Sequence, residues 1–272
     1  MKYIDASTND SLEKGIMRLL NLTKEELNNA YESFYHDTEK YACDCVEDFL
    51  SNYDIDTSLE YIQMYHLSRR LNGTDLHLNN NLKQLLLEET PLSLFFQKHG
   101  VTFAEGNDRI DMYYKGHLQS LDNEIKYSRG NISAVKSRLG YNQIKDYCVN
   151  GFAFREHLEK NHYFASLSKS PELVQNIERL LDIDGMAFDY NENSKFYCIE
   201  YLIPLSEVTF DINNPPENNR DKMIVFLNYA LLRLYNEWKG SSFLCDENLR
   251  LRLADDAMIK SEWFVDAKEI EV

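Results

Sequence analysis

The chain has 272 residues, 43% of them hydrophobic, with 45 acidic against 29 basic side chains and a net charge of −16. A chain of this size buries a sizeable core, and with only 10 Gly and 5 Pro neither a collagenous nor a low-complexity reading applies. A field of that sign repels phosphate backbones, which disfavours broad binding to DNA or RNA while leaving room for a local basic groove.

The N-terminal segment reads as helical. Thr23 and Glu26 form a capping box, and Leu27, Ala30, Tyr31, Phe34, Tyr41, Cys45, Val46, Phe49 and Leu50 recur at helical spacing. This predicts one long helix to about Tyr53, or two helices broken near His36-Asp37-Thr38. Residues 1–57 are therefore expected to form a helical lobe, with a mixed domain over 58–272. Tyr61–His66 is β-compatible and ends at Leu67–Arg70. A polar loop through Asn72-Gly73 and Asn79–Asn81 leads to a helix over Leu82–Glu89. Thr90 and Pro91 start a second helix as N-cap and first helical residue, and Gly100 closes it.

Short strands are expected at Val101–Phe103 and Arg109–Tyr114, then a helix over Ile132–Cys148 within a polar connecting region. Tyr163–Ser168 reads as a strand, and Ser170-Pro171-Glu172 opens a helix to about Leu181. Lys195–Ile203 is a strong strand closed by Pro204. Apolar residues from Met223 to Trp238 define a broad-faced helix stopped by Gly240. Ala257–Phe264 and Ile270–Val272 read as closing strands. Strands and helices mix without regular alternation and no glycine-rich phosphate loop is present, so the expected class is α+β, mixed small sheets with packed helices.

The five cysteines, Cys43, Cys45, Cys148, Cys198 and Cys245, are an odd set in apolar surroundings and read as reduced thiols rather than a disulfide framework. His157 and His162 are five residues apart, off a common helical face, and no metal site is expected. The opening MKYIDASTND lacks the apolar run of a signal peptide, and no stretch approaches the ~20 apolar residues of a membrane span. The expectation is a cytoplasmic protein without membrane association.

Several polar residues fall in an ordered pattern. Tyr65-His66-Leu67-Ser68 ends the first strand, Tyr163, Ser166 and Ser168 lie on the second, and a closing segment carries Asp256. This order resembles the ADP-ribosyltransferase-like fold, over roughly residues 60–272. Members of that superfamily bind NAD in a cleft between two small sheets. The resemblance implies that His66 and Ser68 hold the NAD ribose and amide, and that Tyr163, Ser166 and Ser168 face the nicotinamide. It also implies that Arg69 or Arg70 neutralises the pyrophosphate. An acid would stabilise the positive charge that develops on the ribose as nicotinamide leaves. The family's acid is typically Glu. Here Asp256 is best placed, with Glu262, Glu269 and Glu271 as competitors. The implied activity is NAD-dependent modification of a protein or nucleic-acid acceptor, in a toxin or phage-conflict setting.

Each residue also has a structural reading. His66 suits a hydrogen-bonded strand end, Ser166 and Ser168 suit outward positions of a half-buried strand, Tyr163 suits core, and Asp255-Asp256 suits a turn. The functional alternative is a non-catalytic acidic protein that binds and inhibits a protein partner, motivated by the net charge and the lack of further catalytic motifs. Strong salt dependence would mark such binding.

Overall fold

The computed structural model describes residues 2–55, 59–77, 80–121, 131–143, 145–241 and 248–271. Capping chemistry sets the N-terminal helices. Thr8 caps α1 (Asn9–Leu20) by accepting from the Ser11 N–H, and the predicted Thr23–Glu26 box opens α2 (Lys24–His36). Asp37 ends α2, and α3 (Ala42–Ser51) follows, so the expected break near residues 36–38 is present. The long β1 (Tyr61–Leu71) comes next, then α4 (Leu82–Leu87) and α5 (Pro91–Lys98), the latter with Thr90 as N-cap and Pro91 at its start. Gly100, at φ 79°, takes the left-handed conformation that ends α5 and leads into β2 (Val101–Glu105).

The remaining elements are β3 (Ile110–Tyr114), β4 (His117–Leu118), α6 (Ile132–Arg138), β5 (Asn150–Phe152), α7 (His162–Leu167), α8 (Glu172–Leu181) and α9 (Met186–Glu192). After them come β6 (Ser194–Pro204), β7 (Thr209–Phe210), α10 (Asn219–Trp238), β8 (Arg250–Arg252) and β9 (Phe264–Glu269). Helices and two small antiparallel sheets make this an α+β protein. Among the described residues no helix is long and apolar enough to cross a membrane.

The chain divides into two compact units, and their boundaries differ from the expected 1–57 lobe. The first comprises Met1–Tyr65, Asn150–His162 and Glu200–Arg252. In it α3 and α1 pack on α10, α2 packs on α3, and Leu12, Ile16, Leu27, Val46, Leu227 and Leu231 are buried. The N-terminal helices thus share one unit with the long helix near the end of the chain. The second comprises His66–Val149, Tyr163–Ile199 and Leu253–Val272. The antiparallel β2-β3-β4 meander, with Val101 opposite Tyr114, closes over a core that includes Phe96, Val101, Ile110, Met112, Val174 and Ile177. In the larger sheet the strand order is β7-β8-β5-β1-β6-β9, and β1 and β6 each contribute residues to both units.

Three expected elements are corrected. Tyr163–Ser168 is not a strand: most of it lies in α7. A helix starts at Ile132 but stops at Arg138 rather than Cys148. Gly140 is left-handed (φ 77°), and the Tyr141 N–H reaches back to the Lys136 carbonyl, which terminates the helix. Ala257–Phe264 is not a strand either. A turn joins Ala254 to Ala257, Ile259 makes only an isolated bridge, a short 3₁₀ turn covers Ser261–Trp263, and the strand β9 begins at Phe264. Of the cysteines, Cys45, Cys148 and Cys198 are buried and Cys43 is exposed, none of these four in a disulfide, while Cys245 lies outside the described residues.

Candidate functional site

β1 changes character along its length. From Ile62 to Tyr65 every side chain is buried, as expected for a strand covered on both faces. From His66 onward His66, Ser68 and Arg70 are only partly buried, while Leu67 and Leu71 remain buried. Strand periodicity puts His66, Ser68 and Arg70 on one face. The Arg70 Nη2 lies 3.3 Å from the His66 Nε2, so the guanidinium folds back along the strand toward the imidazole.

Arg69 points to the opposite face and does different work. Its Nε donates to the Ser194 Oγ at 2.9 Å and its Nη1 to the Ser168 carbonyl at 2.7 Å. Its Nη2 donates to the carbonyls of Asn191 (3.0 Å) and Ser194 (3.2 Å). The Tyr190 hydroxyl returns a bond to the Arg69 carbonyl at 2.9 Å. Burial lowers the pKa of Arg69, but a guanidinium stays charged under any native condition. Its hydrogen bonds go to protein acceptors on that face, and Arg70 is the arginine on the His66 side.

The second group of expected residues does not join the first. Because the Ser168 carbonyl meets Arg69, the C-terminal end of α7 lies on the Arg69 side of β1, away from the face of His66, Ser68 and Arg70. The Ser166 hydroxyl donates to the Tyr163 carbonyl at 2.9 Å and that of Ser168 to the Ala165 carbonyl at 3.2 Å, both local helix bonds. Tyr163 is exposed, so it is not core. Phe164 anchors α7 instead, edge-on to Phe196 of β6 at 5.2 Å between centroids.

The candidate acids are spread out. Asp256 is exposed and lines an open cleft of about 650 Å³ together with Lys83, Glu105, Lys145, Tyr147 and Asp255. None of His66, Ser68, Arg70, Tyr163, Ser166 and Ser168 lines this cleft. Asp255 accepts the N–H groups of Tyr147 and Cys148, each at 3.1 Å, so the Asp255-Asp256 pair is part of a turn with one member tied down. Lys83 holds Glu105 at 2.7 Å and Lys145 holds Asp108 at 2.6 Å, and each lysine lowers the pKa of its carboxylate. Glu262 and Glu271 are exposed, and Glu269 pairs with Lys195 at 2.8 Å.

The anchoring role of Arg69 has no local signature, because its partners are 99 to 125 residues away in sequence. No family model, no curated protein and no solved structure matches this chain.

Proposed function

We propose that the protein is an NAD-dependent ADP-ribosyltransferase-like enzyme whose ligand-holding face is the half-open stretch of β1. The observation that carries this reading is the placement of His66, Ser68 and Arg70 on one partly accessible face of a strand with neighbours on both sides. In this reading His66 and Ser68 hydrogen-bond the ribose and carboxamide, and Arg70 meets the pyrophosphate as a charge-assisted donor. The nicotinamide–ribose bond breaks with its electron pair leaving on nicotinamide. The acceptor nucleophile then bonds to the anomeric carbon and gives up its proton to solvent. The acceptor is a protein or nucleic acid, and Asp256, which lines a separate cleft, is not assigned as the acid beside the cationic ribose. Tyr163, Ser166 and Ser168 are left out of the proposed site, because they sit on a helix at the other side of the strand.

The test is calorimetric titration with NAD, paired with a melting-temperature shift. Binding by the parent chain and at least tenfold weaker binding by His66→Ala and Arg70→Ala are expected, about 1.4 kcal/mol or more. Absence of any NAD binding, or binding by both variants as tight as the parent's, would end the proposal.

A second reading, a non-catalytic protein that binds and inhibits a basic partner, is favoured by the α2–α3 segment. Residues 24–54 hold nine Asp or Glu against two Lys, and both lysines are already paired, Lys24 with Glu13 and Lys40 with Asp48. Tyr35 and Tyr41 are exposed in the same segment. Affinity for a basic partner that falls steeply with salt would support this reading, and salt-insensitive binding would count against it.

A further inference from the structure

An unassigned cluster lies in the first unit, where the start of α1, the turn at residues 156–157 and the last turn of α10 come together. Glu156, His157 and Glu237 each offer one donor atom, and the three atoms lie within 4.8 Å of one another. His157 has a left-handed backbone (φ 63°), which breaks the ordinary alternation of side chains at this turn.

Asn9, itself buried, organises the two carboxylates. Its backbone N–H donates to the Glu156 carboxylate and its side-chain Nδ2 to the Glu237 carboxylate. The Asn9 Oδ1 is fixed in turn by the Nε of the buried Arg233 at 2.9 Å, and the Nη2 of Arg233 donates to the Glu156 carbonyl. Each carboxylate therefore has one oxygen oriented by Asn9 and the other remaining. Such outer hydrogen bonds are what fix ligand carboxylates in metal sites. The third member, His157, has its Nδ1 3.7 Å from the Glu159 carboxylate.

A separate feature points the same way. The Tyr31 hydroxyl is buried, with the residue only 1% exposed, and has no hydrogen-bond partner among the described residues. Its ring packs against Tyr235 and Trp238 at the end of α10, on either side of Glu237 in sequence, with centroids 6.0 Å away in each case. A buried hydroxyl left unmatched costs stability unless a ligand or its bound water supplies the acceptor.

We propose that Glu156, His157 and Glu237 form a binding site for a divalent first-row transition ion, zinc or manganese in type. One imidazole with two carboxylates suits these ions better than calcium or magnesium, which take oxygen ligands, and the lack of thiolate disfavours softer ions. Three protein ligands leave a coordination position for water. The ion would tie α1, the residue 156–157 turn and α10 together. It is independent of the NAD reading, since all its ligands belong to the first unit and none is a residue of that reading.

The experiment uses the full chain in a Cys43→Ser background, because the exposed thiol is a competing zinc ligand. After chelator treatment, Zn²⁺ and Mn²⁺ are titrated separately by calorimetry and by melting temperature. One ion per chain is expected for at least one of them, with a melting-temperature rise of about 5 °C at a hundredfold excess over the dissociation constant. Glu237→Gln, at an exposed position, and His157→Asn should each weaken binding about tenfold or more, with the metal-free melting temperature near the parent's. Binding of neither ion, or parent-like binding by both variants, overturns the proposal. If one variant is unfolded without metal, the other decides.

Discussion

Arg69 is the side chain whose removal the structure prices most directly. Arg69→Ala deletes four hydrogen bonds from one charged donor, to the Ser194 hydroxyl and the carbonyls of Ser168, Asn191 and Ser194. The Ser194 hydroxyl keeps its own bond to the Tyr190 carbonyl at 2.5 Å, so the carbonyls bear most of the loss. Arg69 is partly exposed and water can rehydrate some acceptors, so each bond is counted at about 0.5–1 kcal/mol rather than the larger value for buried charged pairs. The expected destabilisation is then about 2–4 kcal/mol. Arg69→Lys keeps the charge but not the planar fork and can satisfy one or two of the acceptors, so about half that loss is expected. Urea unfolding followed by tryptophan fluorescence measures both. The two tryptophans, Trp238 and Trp263, fall in different units, so a Trp238→Phe background leaves Trp263 to report on the unit that contains Arg69. Arg69→Ala within about 0.5 kcal/mol of its parent, or Arg69→Lys indistinguishable from the parent, would show that these bonds do not hold β1 to β6, α7 and α9.

Two further outcomes follow from local geometry. A Cβ added at Gly151 would stand 2.8 Å from the Tyr65 carbonyl oxygen and 2.7 Å from the Met64 Cγ. Backbone cannot yield as a side chain can, so Gly151→Ala should cost about 2 kcal/mol or more in urea unfolding, and a neutral result would show that β5 sits farther from β1. Asp189 accepts from Lys98 and His99, each at 2.9 Å, and these bonds hold its carboxyl pKa below the ordinary value. A carboxyl depressed on folding contributes stability that is complete above its unfolded pKa and is lost as pH falls from about 4 through the lower folded value. Asp189→Asn should therefore melt below the parent at pH 7, with the gap closing in acid; a gap that persists unchanged at low pH would contradict the ionic origin.

Elements with strong end signals were legible from their own residues. Thr23 with Glu26, Thr90 with Pro91, and the left-handed Gly100 each settle a helix boundary through groups within a few residues, and the structure places them as expected. The apolar face from Met223 to Trp238 is long enough for its period to be unambiguous, and α10 spans it. Tyr163–Ser168 is the opposite case. Six residues of alternating size fit either period, and the contact that decides for helix, Phe164 against Phe196, comes from 32 residues downstream. The end of the Ile132 helix was marked by Gly140, but the amphipathic pattern beyond it masked the stop.

The same division runs through the candidate site. That His66, Ser68 and Arg70 share a face follows from strand period alone once β1 is recognised, and needs no tertiary information. What the pattern does not distinguish is the task of two adjacent arginines. Arg69 and Arg70 are identical in local propensity, yet the one-residue step of a strand sends one into a web of distant carbonyls and leaves the other beside His66. The residues that separate them, Ser168, Asn191 and Ser194, become neighbours of β1 only when β6 and the helices before it fold back. Glu156, His157 and Glu237 make the point at longer range: no spacing rule joins a turn to a helix 80 residues later, and Asn9, held by Arg233, bonds to both carboxylates. Local chemistry thus sets where elements begin and which residues share a face. Which distant residues each of those faces meets is decided by parts of the chain the local pattern never reaches.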